Sequence, residues 1–177
     1  MADTKRLFFA LWPDDEIRNE ISQAFLCSAY SKAEGQQYHF QNLHLTLHFL
    51  GNVSEEQYSC VLEAAETIKF SEFTLSLDQF GIFEKAKVFW LGLSDIPAEL
   101  TQLHFALGQA LSNCDYKREG RIYTPHVTLM RKIKYFEVEK NTRLVNWWVN
   151  KFALVESVTE HGAVLYKPVR FYNVQQG

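Results

Sequence analysis

His44-Leu45-Thr46-Leu47 returns later in the chain as His126-Val127-Thr128-Leu129, and the reading of this pair decides the fold. Each copy sets a histidine and a threonine two residues apart within an apolar run. In a β-strand, side chains at i and i+2 share a face. One imidazole and one hydroxyl of each copy then point the same way, while Leu45, Leu47, Val127 and Leu129 point into a core. Two such strands side by side make a pocket of two imidazoles and two hydroxyls. With 6 histidines in 177 residues, chance supplies only roughly 0.03 copies of His-x-Thr-Leu. A single copy reads as a solvated strand; two copies read as a site.

The elements around the motifs place them on strands. Residues 6–12 form a first strand ending at Pro13, and a helix opens on Asp14, Asp15 and Glu16, where the helix dipole favours acids. Its inner stripe is Ile17, Ile21, Ala24, Phe25 and Ser28. Residues 31–42 are a polar connection. The first motif strand covers about 43–50 and stops at Gly51-Asn52. A second helix starts at Ser54, with Gln57 completing a capping box and Val53 and Tyr58 placed as a hydrophobic staple. Residues 72–80 alternate apolar and polar as a half-buried strand that Gly81 breaks. Residues 87–93 form a strand buried on both faces. A third helix opens near Ser94-Asp95, with Pro97 in its first turn and Leu100, Leu103, His104, Leu107 and Leu111 on one face; His104 belongs to the core or its boundary. The second motif strand covers about 122–130. A short helix is expected over 136–144, then strands at 147–158 and 163–173 joined by a Glu160-His161-Gly162 hairpin turn, in which His161 is a turn residue. The rhythm of strand, helix and strands, with one motif strand in each half, predicts an α+β protein. Its two joined lobes meet at the motif strands.

Composition excludes other classes. Apolar residues at 47% suit a packed protein rather than a disordered one. No apolar run approaches the ~18 residues of a membrane span, and residues 7–12 are too short for a signal sequence. Cys27, Cys60 and Cys114 are odd in number and widely spaced. We expect neither a disulfide framework nor a metal knuckle from them, and hence a reducing cytoplasm. A net charge of −3 argues against broad nucleic-acid binding but leaves room for a small phosphate-bearing ligand. Lys117, Arg118, Arg121, Arg131, Lys132 and Lys134 cluster around the second motif; such a cluster is ordinarily a solvated face.

The chemistry open to this constellation is narrow. His44 and His48 have a spacing that holds zinc on a helix. On a strand at ~3.3 Å per residue they stand roughly 13 Å apart, and no carboxylate or cysteine adjoins either motif, so no metal is expected. His48 shares the His44 face on strict alternation, where solvent exposure is its ordinary role. No serine or cysteine sits in a glycine-rich elbow. General acid–base catalysis fits. A neutral imidazole takes the proton of an attacking water, and a protonated one supplies the departing oxygen. In-line displacement at phosphorus puts those oxygens on opposite sides, and the threonine hydroxyls are donors for the non-bridging oxygens. A strained cyclic phosphate is the substrate least in need of a metal.

Three stretches carry a resemblance: Arg6-Leu-Phe-Phe-Ala-Leu-Trp-Pro13, Asn42-Leu-His-Leu-Thr-Leu-His-Phe-Leu-Gly51 and Thr124-Pro-His-Val-Thr-Leu-Met-Arg131. With them the sequence resembles the two-histidine (2H) phosphoesterases, and within these it is most similar to the RNA 2′,3′-cyclic phosphodiesterases, also called 2′-5′ RNA ligases. The resemblance implies a single bilobal α+β domain over residues 1–177, with two pseudo-symmetric lobes of antiparallel sheet, flanking helices and a central cleft. It implies no metal and no nucleotide cofactor. The activity implied is hydrolysis of a terminal 2′,3′-cyclic phosphate of RNA to a 2′-phosphomonoester. Some members also join tRNA halves reversibly through a 2′-5′ linkage. The partner implied is RNA with a cyclic phosphate end, and a monomer is expected. Carried over by residue, His44 is the proton donor to the leaving 3′-oxygen, His126 the base that activates water, and Thr46 and Thr128 the phosphate-binding residues. Near-symmetry keeps the sequence itself from choosing between the histidines. Arg131 matches the arginine that often follows the second motif. Its parity is wrong for the His126 face, so it reaches phosphate only if the strand ends or bulges after Leu129. Met130 stands where small residues are usual and His48 where other polar or basic residues occur, departures that bear on substrate preference. Phe9, Trp12 and Tyr123 are candidates to stack a base. The competing readings are a cyclic phosphodiesterase for small nucleotides or an ADP-ribose cyclic phosphate, and a non-catalytic module that binds RNA ends.

Overall fold

A computed structural model of the chain describes residues 4–117, 120–134 and 141–174. Its strands are β1 (Thr4–Leu11), β2 (Gln36–Gln37), β3 (Leu45–Ser54), β4 (Phe73–Phe83), β5 (Val88–Gly92), β6 (His126–Arg131), β7 (Asn141–Val149), β8 (Lys151–Glu160) and β9 (Ala163–Asn173). The helices are α1 (Asp15–Leu26), α2 (Glu55–Glu66) and α3 (Ala98–Leu111). All strand pairs are antiparallel, in the order β7-β4-β5-β6-β3-β1-β8-β9, with β2 added alongside β6. The protein is α+β.

The sheet has two four-stranded halves, β7-β4-β5-β6 and β3-β1-β8-β9. They are joined in the middle by a single register pair, Leu45 with Val127. The chain also passes between the halves at Asn150, between β7 and β8. The helices cross over. α1 follows β1 but packs against β7 of the other half, and α3 follows β5 but packs against α2 and β3. Alternation in β1 sorts the two faces of the sheet. Leu7, Phe9 and Leu11 join the main core with the helices. Phe8 and Ala10 face the other way, into a small cluster with Ala153 and Val155 that Trp12 and Tyr166 edge.

Local chemistry accounts for the helix starts. The Asp14 carboxylate caps α1 by accepting from the Ile17 N–H at 2.9 Å. Ser54 and Gln57 form the reciprocal capping box of α2. His161 and Gly162 both have positive φ, 51° and 81°, as a two-residue hairpin between β8 and β9 requires.

Five expectations are corrected. Gly81 does not end its strand, because β4 runs on to Phe83. The absent side chain instead makes room for Trp90 on β5, whose ring atoms lie 2.1–2.6 Å from where a Cβ would stand. β5 is buried on one face only, with Val88 and Trp90 half-buried on the other. The run expected over 147–158 is two strands, divided at Asn150. Of the helix expected over 136–144, residues 141–144 belong to β7, paired with β4, and the rest lies outside the described residues. Cys60 and Cys114 form a disulfide with a Cα–Cα distance of 5.7 Å; α2 packs against α3 and the turn after it, a contact that 54 residues of separation conceal in sequence. The cysteines therefore no longer argue for a reducing compartment. Among the described residues, no helix is long and apolar enough to cross a membrane.

Candidate active site

The four motif side chains straddle the pair that joins the two half-sheets. Leu45 opposes Val127 in an antiparallel register, which sets Thr46 across from His126 and His44 across from Thr128. Directly opposed side chains lie about 4.5–5.5 Å apart at Cβ, and diagonal ones within reach of an imidazole. The two histidines thus occupy one diagonal of the seam and the two threonines the other. All four leave the core to Leu45 and Val127, each fully buried.

Each motif strand then carries the same irregularity. On β3, Ala10 pairs with Thr46 and Phe9 with His48, so Leu47 is an extra residue. On β6, Trp90 pairs with Thr128 and Phe89 with Met130, so Leu129 is an extra residue. A bulge shifts every later residue by one face. Leu129 and Met130 are both buried as a result, and Arg131 returns to the face of His126 and Thr128. This is the condition on which its place near phosphate depended. The equivalent position on β3 is Phe49, which likewise returns to the cleft face. His48 goes the other way. Strict alternation put it beside His44 and exposed, whereas the bulge at Leu47 buries it to 4% exposure on the helix side. There it meets the His104 backbone carbonyl at 2.7 Å and the Tyr116 hydroxyl at 3.2 Å. His44 and His48 face opposite ways and cannot share an ion.

Both imidazoles are held by a carbonyl two residues upstream. Nδ1 of His44 lies 2.6 Å from the Asn42 oxygen, and Nδ1 of His126 lies 2.7 Å from the Thr124 oxygen. A carbonyl only accepts, so Nδ1 carries the hydrogen in each and Nε2 is free for chemistry. Nε2 of His44 is 3.0 Å from the Thr46 hydroxyl. The Asn42 side chain is also engaged, donating to the Val164 carbonyl at 2.8 Å and accepting from the Tyr166 N–H at 3.0 Å. It ties the strand of His44 to β9.

The walls are aromatic. Phe8, Trp12 and Tyr166 surround His44 at 4.8, 6.0 and 5.2 Å between ring centroids. Phe83 and Trp90 flank His126 at 4.9 and 6.0 Å. Burial pushes the His44 pKa down to about 4, with smaller contributions from His126, Arg131 and Arg18. Burial likewise lowers His126, and Arg131 adds to it. The Arg131 guanidinium lies over the Tyr38 ring at 5.3 Å and donates to its hydroxyl at 3.4 Å. The Tyr38 hydroxyl in turn bonds that of Tyr166 at 2.9 Å. Burial and that bond raise the Tyr38 pKa above its ordinary value, so the Tyr38 hydroxyl stays neutral. The free pocket therefore holds two neutral imidazoles with the Arg131 cation nearby, which differs from the one-neutral, one-protonated pair expected from ordinary pKa values.

The other sequence candidates sort by face. Phe9 is fully buried among Phe152 and Tyr172 and is closed to a ligand. Trp12 is taken up by His44 and by the Arg18 guanidinium 5.0 Å from its ring. Tyr123 stacks on His104 at 3.8 Å and donates to the Thr46 carbonyl at 3.0 Å, so it braces β3. Lys134 pairs with Glu34, and Arg118 lies outside the described residues. Asn42, Tyr38 and Tyr166 were not singled out as site residues. Asn42 had a signal, standing in the quoted motif stretch; the tyrosines had none. From His126 a cavity of about 910 Å³ runs off between β3 and the end of β4, past Thr46, Phe49, Phe83, Tyr123 and Thr124.

Comparison with known proteins gives a consistent result. Residues 13–160 match the family model described as the 2′-5′ RNA ligase superfamily. The chain is 32% identical to the RNA 2′,3′-cyclic phosphodiesterase of Escherichia coli (strain K12), over 99% of this chain and 100% of that protein. It is 29% identical to the protein of the same name from Archaeoglobus fulgidus, over 94% of this chain and 99% of the relative. Among solved structures, E. coli LigT complexed with 3′-AMP superposes with a TM-score of 0.89 at 31% identity, covering 98% of this chain and 100% of that one. TT0787 of Thermus thermophilus shares the fold, with a TM-score of 0.81 at 22% identity over 96% of this chain and 97% of that one.

Proposed function

Because the chain belongs to the 2′-5′ RNA ligase superfamily, we propose that it is an RNA 2′,3′-cyclic phosphodiesterase, opening the cyclic phosphate at an RNA end to a 2′-phosphomonoester. One observation carries this reading: two imidazoles and two hydroxyls face each other in diagonal pairs across the Leu45–Val127 seam. A phosphorus centred there has an imidazole on each side, as in-line displacement needs, with a threonine hydroxyl on each side for its non-bridging oxygens.

His126 accepts the proton of the attacking water, and His44 donates to the leaving 3′-oxygen. Thr46, Thr128 and Arg131 hold the phosphate. In the free pocket His44 is neutral, and the Thr46 hydroxyl donates to its Nε2 across their 3.0 Å contact. The phosphodiester anion reverses this. An added negative charge favours the charged imidazole and offsets the Arg131 cation. His44 then takes a proton on Nε2, and the Thr46 hydroxyl is released to a phosphate oxygen. Substrate binding thereby arms the acid.

The substrate is RNA with a cyclic end, tRNA halves among them, and a cytoplasmic setting follows from that substrate rather than from the cysteines. The test is product analysis on a 2′,3′-cyclic-phosphate-ended RNA in the presence of EDTA. A 2′-phosphate product is expected. His44→Ala and His126→Ala each lower kcat by about 10²–10⁴, and Thr46→Ala and Thr128→Ala by about 10²–10³. A 3′-phosphate product, or full activity in either histidine variant, contradicts the proposal.

A further inference from the structure

The duplicated bulge raises a question that the phosphate chemistry leaves open. The residue three places after each motif threonine comes back to the cleft face. On β6 that residue is Arg131; on β3 it is Phe49. An arginine there suits the anion. Phe49 is 41% exposed, and it lines the cavity that leads from His126. Its pairing with Phe8, two residues along β1 from the Ala10 that faces Thr46, puts it about 7 Å along the strand from the motif hydroxyl. That is the separation of a nucleobase from its own ribose phosphate. One side of the ring is backed by the Arg6 guanidinium at 5.0 Å, so the ring is held as a plate.

Three other aromatic residues near the seam already have ring or cation partners. Trp12 is shared by Arg18 and His44, Tyr123 is stacked on His104, and Phe83 stands edge-on to His126 at 81°. Building on the cyclic-phosphodiesterase reading, we propose that Phe49 is the platform on which the base of the cyclic-phosphate nucleotide stacks, the counterpart on β3 of the phosphate-binding Arg131 on β6. A π-face is tolerant of base identity, so this subsite recognises that a base is present and discriminates weakly among the four. The cation behind the ring strengthens its hold on the chain without specifying sequence.

The test compares two oligonucleotides with 2′,3′-cyclic phosphate ends, identical except that one lacks the terminal base. With the base present, Phe49→Ala raises KM about 10-fold or more at nearly unchanged kcat. Phe49→Trp retains wild-type KM, and Phe49→Leu, which keeps the bulk without the π-face, behaves like the alanine variant. On the abasic substrate, wild type and all three variants have the same KM. Equal losses on both substrates would mean a structural role, and wild-type KM in Phe49→Leu would mean that bulk alone matters; either result overturns the proposal. Wild-type protein that opens neither substrate overturns the phosphodiesterase reading, and this one with it. Turnover of both with no base-dependent change in Phe49→Ala overturns this one alone.

Discussion

Burial holds the His44 imidazole neutral down to about pH 4, and that has consequences at two levels. In the unfolded chain the same group binds a proton near its ordinary pKa of 6.5. A folded pKa below the unfolded one means stability that is complete above 6.5 and is lost as pH falls towards 4. From His44 alone this amounts to about 3 kcal/mol. Urea titrations at pH 7 and pH 4 are expected to show wild type losing that much more stability than His44→Asn. For kcat/KM, which reports the free enzyme, the proposed mechanism needs one imidazole charged and the other neutral. Both free-state values are lowered, so the bell of kcat/KM against pH peaks below 6.5. The kcat bell reports the phosphate-bound state and lies at higher pH. A kcat/KM maximum above pH 7 would contradict the electrostatics. At this scale the convergence of His44, His126, Thr46 and Thr128 was legible, since two copies of a strand motif imply one shared face. Tyr166 was not, because its contact with Asn42 spans 124 residues and nothing local announces it.

Elements were legible where their chemistry is local. The Ser54–Gln57 capping box and the acidic start of α1 both appear in the structure. The bulges at Leu47 and Leu129 were not, because a single inserted residue leaves no mark on composition; only the conditional placement of Arg131 anticipated one of them. β7 was hidden for a related reason. Val145, Trp147 and Val149 point inward, but the outward Leu144 and Trp148 are also apolar, which blurs a period of two. Gly81 was read for its effect on backbone when its role is steric. Trp90 lies against both Gly81 and Gly92 and borders His126. Gly81→Ala is therefore expected to destabilise by about 1–3 kcal/mol through overpacking. By displacing Trp90 it should lower kcat more than it raises KM. Denaturant unfolding and steady-state kinetics on the one variant check both.

Across the whole molecule, the sequence rhythm suggested two equivalent halves, and the sheet order agrees. What it could not convey is how they are bound together. The Cys60–Cys114 bridge fastens α2 to the turn after α3, on the helix side of β3. Closing a long loop typically stabilises by about 2–4 kcal/mol. Cys60→Ser, or reduction of the wild type, should lower the thermal midpoint in calorimetry. Cys27, which is exposed and unpaired, should be replaceable by serine with no such loss.

The exchange of α1 and α3 between the halves carries one more implication. Each half is covered in part by a helix that follows a strand of the other. A cut in the connection between α2 and β4, near Lys69, would give an N-terminal piece lacking β8 and β9 beside β1, and a C-terminal piece whose β7 has lost α1. Each piece on its own should stay unfolded by circular dichroism, while an equimolar mixture should recover both secondary structure and turnover, as intertwined strands of rope regain strength only when laid together.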